Sequence, residues 1–126
     1  MRSIAIITFF AALLFTLTMA WLPHPPAVPM QWDDKAWHVL AFVTLSFLAS
    51  LALPAAPLAR IGERLSFLGA LIEVVQSIPA LQRDCDVMDW IADTIAVAAT
   101  LAVVAGIRWL WRRSRGRAAA GSAPGG

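Results

Sequence analysis

The chain is 126 residues long, 60% of them hydrophobic and only 14% charged, with a mean hydropathy of +0.71. Soluble domains run nearer half apolar and a quarter charged, so this excess excludes one small water-soluble core and leaves no room for a soluble catalytic domain. The single cysteine, Cys85, excludes an internal disulfide and any CxxC motif, while the net charge of +2 hides five arginines gathered between Arg108 and Arg117.

A membrane-spanning helix takes about 20 apolar residues; setting aside a Pro-rich loop and a Gly/Ala/Arg tail leaves roughly 80, enough for four spans. The expected fold is therefore an all-α bundle of four transmembrane helices, with a membrane domain over 1–113 and a disordered basic tail over 114–126. Span one covers 4–22, which carries no charge and ends at the prolines between Pro23 and Pro29. Arg2 and the small residues around Thr18 and Ala20 resemble a signal peptide, but the apolar run exceeds the usual length, so it reads as a retained anchor. Span two covers 36–53, entered through Asp33, Asp34 and Lys35 and closed by Pro54 and Pro57. Span three, 61–79, is the most polar, holding Glu63, Arg64, Glu73 and Gln76. Span four, 90–111, begins beside Asp89 and stops at Arg112 and Arg113. Beyond it the composition is low-complexity Gly, Ala, Ser and Arg.

Lys and Arg near span ends stay cytoplasmic. With both termini inside, Arg2, Arg60, Arg64, Arg108, Arg112, Arg113, Arg115 and Arg117 lie on the inner side, against Lys35 and Arg83 outside. Trp21, Trp32, Trp37 and Trp90 then line the outer interface and Trp109 and Trp111 the inner one, as an aromatic belt requires. The reading makes the chain a multi-pass membrane protein. Its arginine-rich end meets anionic lipid rather than nucleic acid.

The remaining ionisable residues collect at the outer end. Lys35 and His38 are three apart, Glu73 and Gln76 are three apart, and Asp86, Asp89 and Asp93 advance by three and then four, so each set shares one helical face. On span three that face continues through Gly69, Ser66 and Gly62, and on span four through Ala96 and Thr100, small enough for close helix packing. A carboxylate in hydrocarbon costs several kcal/mol unless paired, hydrated or neutralised, so Glu73 and Asp93 need partners. Two arrangements satisfy them: a polar clasp locking spans two, three and four, or a polar pocket open to the outer surface. His38 with three carboxylates offers metal-ligand atoms, but no HExxH or comparable spacing is present, so neither a metal nor another cofactor is expected. Cys85 lies between two aspartates that disfavour a thiolate. Thr44 and Ser46 are placed to bond their own helix backbone.

The segment from Asp34 to Phe42, with Lys35 and His38, resembles the DKxxHxxaF motif of the VanZ-like family of small bacterial membrane proteins. Glu73-Val74-Val75-Gln76 resembles that family's ExxQ in the third span, and Arg83 followed by Asp89-Trp90-Ile91-Ala92 resembles its entry to the fourth. The chain departs from the pattern at Asp93, where the family has Asn, and at Ala96, where it has Gly. The resemblance implies a four-helix membrane protein of the cell envelope whose motif residues are Asp34, Lys35, His38, Glu73, Gln76, Arg83 and Asp89. It supplies no established reaction, and glycopeptide resistance is not carried over.

Three functions stay open on this reading: recognition of a lipid-linked or headgroup-like ligand by Asp34, Lys35, His38, Glu73, Gln76, Arg83, Asp89 and Asp93; a membrane-surface hydrolase or transferase with His38 as base and Glu73 or Asp89 orienting it; and proton-linked transport through Glu73 and Asp93. No nucleophile or oxyanion donor accompanies the carboxylates, which makes the enzyme the weakest of the three. Membrane lipids are the expected partners, nucleic acid is not, and a homo-oligomer stays open. The orientation is testable by cysteine accessibility: a membrane-impermeant maleimide applied to intact cells should label native Cys85 and reach Ser122→Cys only after permeabilisation. The reverse pattern overturns it.

Overall fold

A computed structural model describes residues 1–23 and 34–121 of the chain. Its helices are α1 (Arg2–Trp21), α2 (Asp34–Ala52), α3 (Leu58–Gln76) and α4 (Val87–Gly121), with a short 3-10 turn at Pro79–Leu81 between the last two. No strand occurs among the described residues. His24, Trp32 and Asp33 lie outside them, as does the side chain of Asp34, although its backbone opens α2.

Prolines mark four of the boundaries, three of them because a residue before proline is driven from helical to extended backbone. Leu22 precedes Pro23 and is extended, its N–H still closing the last turn on the Thr18 carbonyl at 3.0 Å. Leu53 precedes Pro54 just beyond α2, and Pro57 itself caps the start of α3. Ile78 precedes Pro79 and is extended where the 3-10 turn begins. After that turn Gln82 takes a left-handed conformation, with φ of 49°, and sends the chain back towards α4.

Three helices, α1, α2 and α4, are long and apolar enough to cross a membrane. The third, α3, carries Arg60, Glu63, Arg64 and Glu73 and falls outside that set. Ile4, Ile7, Phe10 and Leu14 on α1 are each at least 60% exposed, an apolar surface too continuous for a protein surrounded by water. Inside, Phe42 and Leu45 of α2, Ile61, Leu65 and Ile72 of α3, and Val97 and Leu101 of α4 form the core. The helix α2 is central, packed against α1 on one side and α4 on the other, while α3 lies chiefly along α4.

One expectation is corrected. The disordered tail expected from Ser114 is helical as far as Gly121, and Arg112 and Arg113 do not stop α4. Arginine ends a membrane span because it resists hydrocarbon, but it is a strong helix former, and so is alanine. The tryptophans help: the Arg113 guanidinium lies 5.1 Å over the Trp109 ring and that of Arg115 6.0 Å over Trp111, both four residues apart.

The α3–α4 contact is close because small residues line it. A Cβ on Gly69 would lie 3.3 Å from Cδ1 of Trp90 and 3.5 Å from both the Phe42 ring and the Asp93 carboxylate; a Cβ on Gly62 would lie 3.3 Å from Leu101. Beside Gly69 the Ser66 and Thr94 hydroxyls meet at 2.8 Å, and Trp90 Nε1 donates to the Ser66 carbonyl at 3.0 Å. Gly106, by contrast, has open space around it. Gly69→Leu should therefore destabilise the folded protein by about 1–3 kcal/mol, whereas Gly106→Ala should leave its stability unchanged or slightly raised. Melting curves in detergent check both.

Candidate functional site

The C-terminal ends of α1 and α3 and the N-terminal ends of α2 and α4 meet at one end of the bundle, where the ionisable residues converge. His38 lies one turn into α2, Glu73 in the last turn of α3, and Asp89 and Asp93 in the first two turns of α4. They are 8%, 5%, 7% and 0% exposed. One ligand atom from each of His38, Glu73 and Asp89 lies within 4.8 Å of those of the other two. Helical spacing placed each residue on its face; the helix crossings bring the faces together.

Each member has a defined neighbour. His38 Nδ1 and Asp93 Oδ2 are 3.2 Å apart, both buried, and join α2 to α4. Lys35 donates to Asp89 Oδ1 at 2.6 Å and reaches Asp86 Oδ2 at 3.4 Å. Glu73 Oε2 accepts the backbone N–H of Asp86 at 2.9 Å, which ties the loop after α3 to the helix end. Glu73 Oε1 and Asp93 Oδ1 are buried and meet no hydrogen-bond donor among the described residues.

Gln76 serves differently. It is 1% exposed and donates through Nε2 to the Ala20 carbonyl at 3.0 Å, fastening α3 to the last turn of α1. Arg83 is half-buried and lines a cavity of about 330 Å³ between α1 and α2. That cavity is walled by Ala12, Phe15, Met19, Ala41 and Phe42 with Ile72 behind them, and His38 is its other ionisable residue.

Asp86 belongs to this end although the sequence motifs pass over it. It precedes the first residue of α4, and its Oδ1 accepts the Met88 N–H at 2.9 Å, an N-cap that leaves Oδ2 to face Lys35. The Met88 bond, and after it the Lys35 ammonium, hold the Asp86 carboxyl below its ordinary value against partial desolvation. An aspartate two residues before a methionine at a helix start is a readable cap signal. Cys85, next to it, is exposed, yet desolvation and then the Glu73 carboxylate push its thiol up. The neighbour raising it is thus across the loop as well as beside it in sequence. Ser46 turns its hydroxyl to the Phe42 carbonyl at 2.6 Å and Thr44 turns its own to Leu40 at 2.8 Å.

Comparison with family models, with curated proteins and with solved structures returned no match. The chemistry of this end therefore rests on the residues themselves: one imidazole braced by a carboxylate, two further buried carboxylates, and a lysine bridging the mouth.

The bridge is testable by a double-mutant cycle. Lys35→Met removes the cation from the buried Asp89 and should lower the melting temperature, whereas adding Asp89→Asn should recover most of the loss, because the stranded charge goes with it. Independent, additive effects of the two substitutions would show that the pair is not coupled.

Proposed function

We propose that the chain is a multi-pass, VanZ-like protein of a bacterial cytoplasmic membrane that holds an anionic lipid, or a lipid-linked phosphate, at the outward-facing end of its bundle. The observation that carries this reading is the cavity between α1 and α2, apolar along its walls and bearing both His38 and Arg83. Apolar walls suit an alkyl or isoprenoid tail, and a guanidinium beside an imidazole suits a phosphate, to which arginine presents two parallel N–H donors. The cavity lies between two helices apolar enough to cross a membrane, so a lipid reaches it sideways without leaving the bilayer.

Orientation follows from charge under the same proposal. Both termini are cytoplasmic, since eight of the ten Lys and Arg residues then lie inside. The arginines from Arg108 to Arg117 meet the anionic inner leaflet at about 1 kcal/mol each. A second reading, a membrane-surface hydrolase, is favoured by the His38–Asp93 pair, since a carboxylate on one ring nitrogen orients an imidazole as a general base. Turnover of a lipid phosphate separates it from binding alone.

Native mass spectrometry of the protein extracted in mild detergent tests the lipid reading. The wild type should retain anionic phospholipid or lipid phosphate. Ala41→Phe, which fills the cavity, should lower occupancy about tenfold, the equivalent of ~1.4 kcal/mol, and Arg83→Gln should lower the ratio of anionic to zwitterionic lipid. Equal retention by wild type and both variants overturns the proposal.

A further inference from the structure

The carboxylates at the polar end outnumber the groups that meet them. Glu73, Asp89 and Asp93 are all at least nine-tenths buried. Lys35 answers Asp89 and His38 answers Asp93, but Glu73 Oε1 and Asp93 Oδ1 have no donor among the described residues. A buried acceptor without a donor carries its full desolvation penalty, and two of them in one cluster call for a cation or water. His38, Glu73 and Asp89 also stand in the arrangement a metal needs. Three atoms no more than 4.8 Å apart all lie within about 2.8 Å of a common centre, so an inward shift of under about 1 Å brings them to the 2.0–2.2 Å of zinc–nitrogen and zinc–oxygen bonds.

We propose that His38, Glu73 and Asp89 form a binding site for a divalent transition-metal ion of the zinc or manganese class. One imidazole with two carboxylates favours these ions over magnesium and calcium, which take oxygen alone. With three protein ligands the ion keeps an open position, the pattern of catalytic rather than structural sites. The surroundings fit a second role for each neighbour. Asp93 on Nδ1 fixes the tautomer in which Nε2 faces the ion, the carboxylate–histidine–metal arrangement that raises ligand basicity. Lys35 on Asp89 Oδ1 and the Asp86 N–H on Glu73 Oε2 hold the two carboxylates in place, with one oxygen of each turned to the metal. The ligands come from three helices, so the ion also ties α2, α3 and α4 at one point. The site stands without the lipid reading, with which it shares only His38.

The test uses the full chain in detergent, purified without a histidine tag and stripped with a chelator. Titration with zinc chloride should show one ion per chain bound at least tenfold more tightly than magnesium or calcium, and a raised melting temperature. Glu73→Gln and Asp89→Asn should each weaken zinc binding a hundredfold or more, and Asp93→Asn, which leaves the ligands intact, ten- to a hundredfold. Cys85→Ser and, on the exposed face of α3, Glu63→Gln should bind as the wild type does. Absence of binding to folded wild type, or undiminished binding by Glu73→Gln and Asp89→Asn, overturns the proposal. X-ray absorption of the zinc-loaded wild type keeps it falsifiable if the variants do not fold: imidazole and oxygen scattering is expected, and a sulfur shell at about 2.3 Å rejects the ligand set. Loss of zinc with lipid retained removes the metal site alone, and loss of lipid with zinc retained removes only the lipid reading.

Discussion

A carboxylate does not enter an apolar bundle alone, and Asp93, with no exposed surface, enters this one against His38 at 3.2 Å. That pair joins α2 to α4, the most extensive helix contact among the described residues. The Asp93 carboxylate also lies 3.5 Å from where a Cβ on Gly69 would sit, and Cδ1 of Trp90 lies 3.3 Å from the same point, so the lack of a side chain at position 69 eases the approach of α3. The neighbouring Phe42 and Trp90 close around the same glycine. The polar interaction and the close packing are thus one constraint, met at a single level of the bundle.

The two ends answer different demands. At the polar end the helix termini gather charges that must be paired, and the loop after α3 is folded over them by the 3-10 turn and the left-handed Gln82. At the opposite end Arg108 reaches from α4 to the Ser50 carbonyl near the end of α2, at 2.7 Å. This carbonyl is among those a helix end leaves without an intrahelical donor, and a guanidinium there also suits the negative end of the helix dipole. Between these ends the surface is given over to apolar side chains such as Phe10, Leu14, Phe67 and Ile95, all more than half exposed.

Periodicity made much of this legible. The three-and-four spacing of Asp86, Asp89 and Asp93, and the i, i+3 pairs Lys35–His38 and Glu73–Gln76, placed ionisable groups on single helix faces before any packing was known. Spacing does not say how those faces divide the work. Gln76 turns to a backbone carbonyl of α1 rather than to the charges, and Lys35, in the first turn of α2, is the residue that meets Asp89. The sequence already grouped His38 with Glu73 and Asp89 at one end; what spacing could not give is that one ligand atom of each falls within 4.8 Å of the others, because the three residues come from different helices. The length of α4 was misjudged on physical grounds, since hydropathy marks where hydrocarbon ends and says nothing of where hydrogen bonding along the helix ends.

The polarity of the interior is lopsided along its axis. Past Asp93, α4 runs fourteen residues, about 21 Å of helix, before its next ionisable residue, Arg108. The core in that stretch is Leu45, Leu65, Ile61, Val97 and Leu101, and Ser46, Ser50 and Thr100 spend their hydroxyls on their own helices. Among the described residues, no further buried ionisable group follows Asp93 in that stretch. Among the described residues, the buried ionisable groups His38, Glu73, Asp89 and Asp93 are thus confined to one end of the bundle, and apolar side chains back them along its axis.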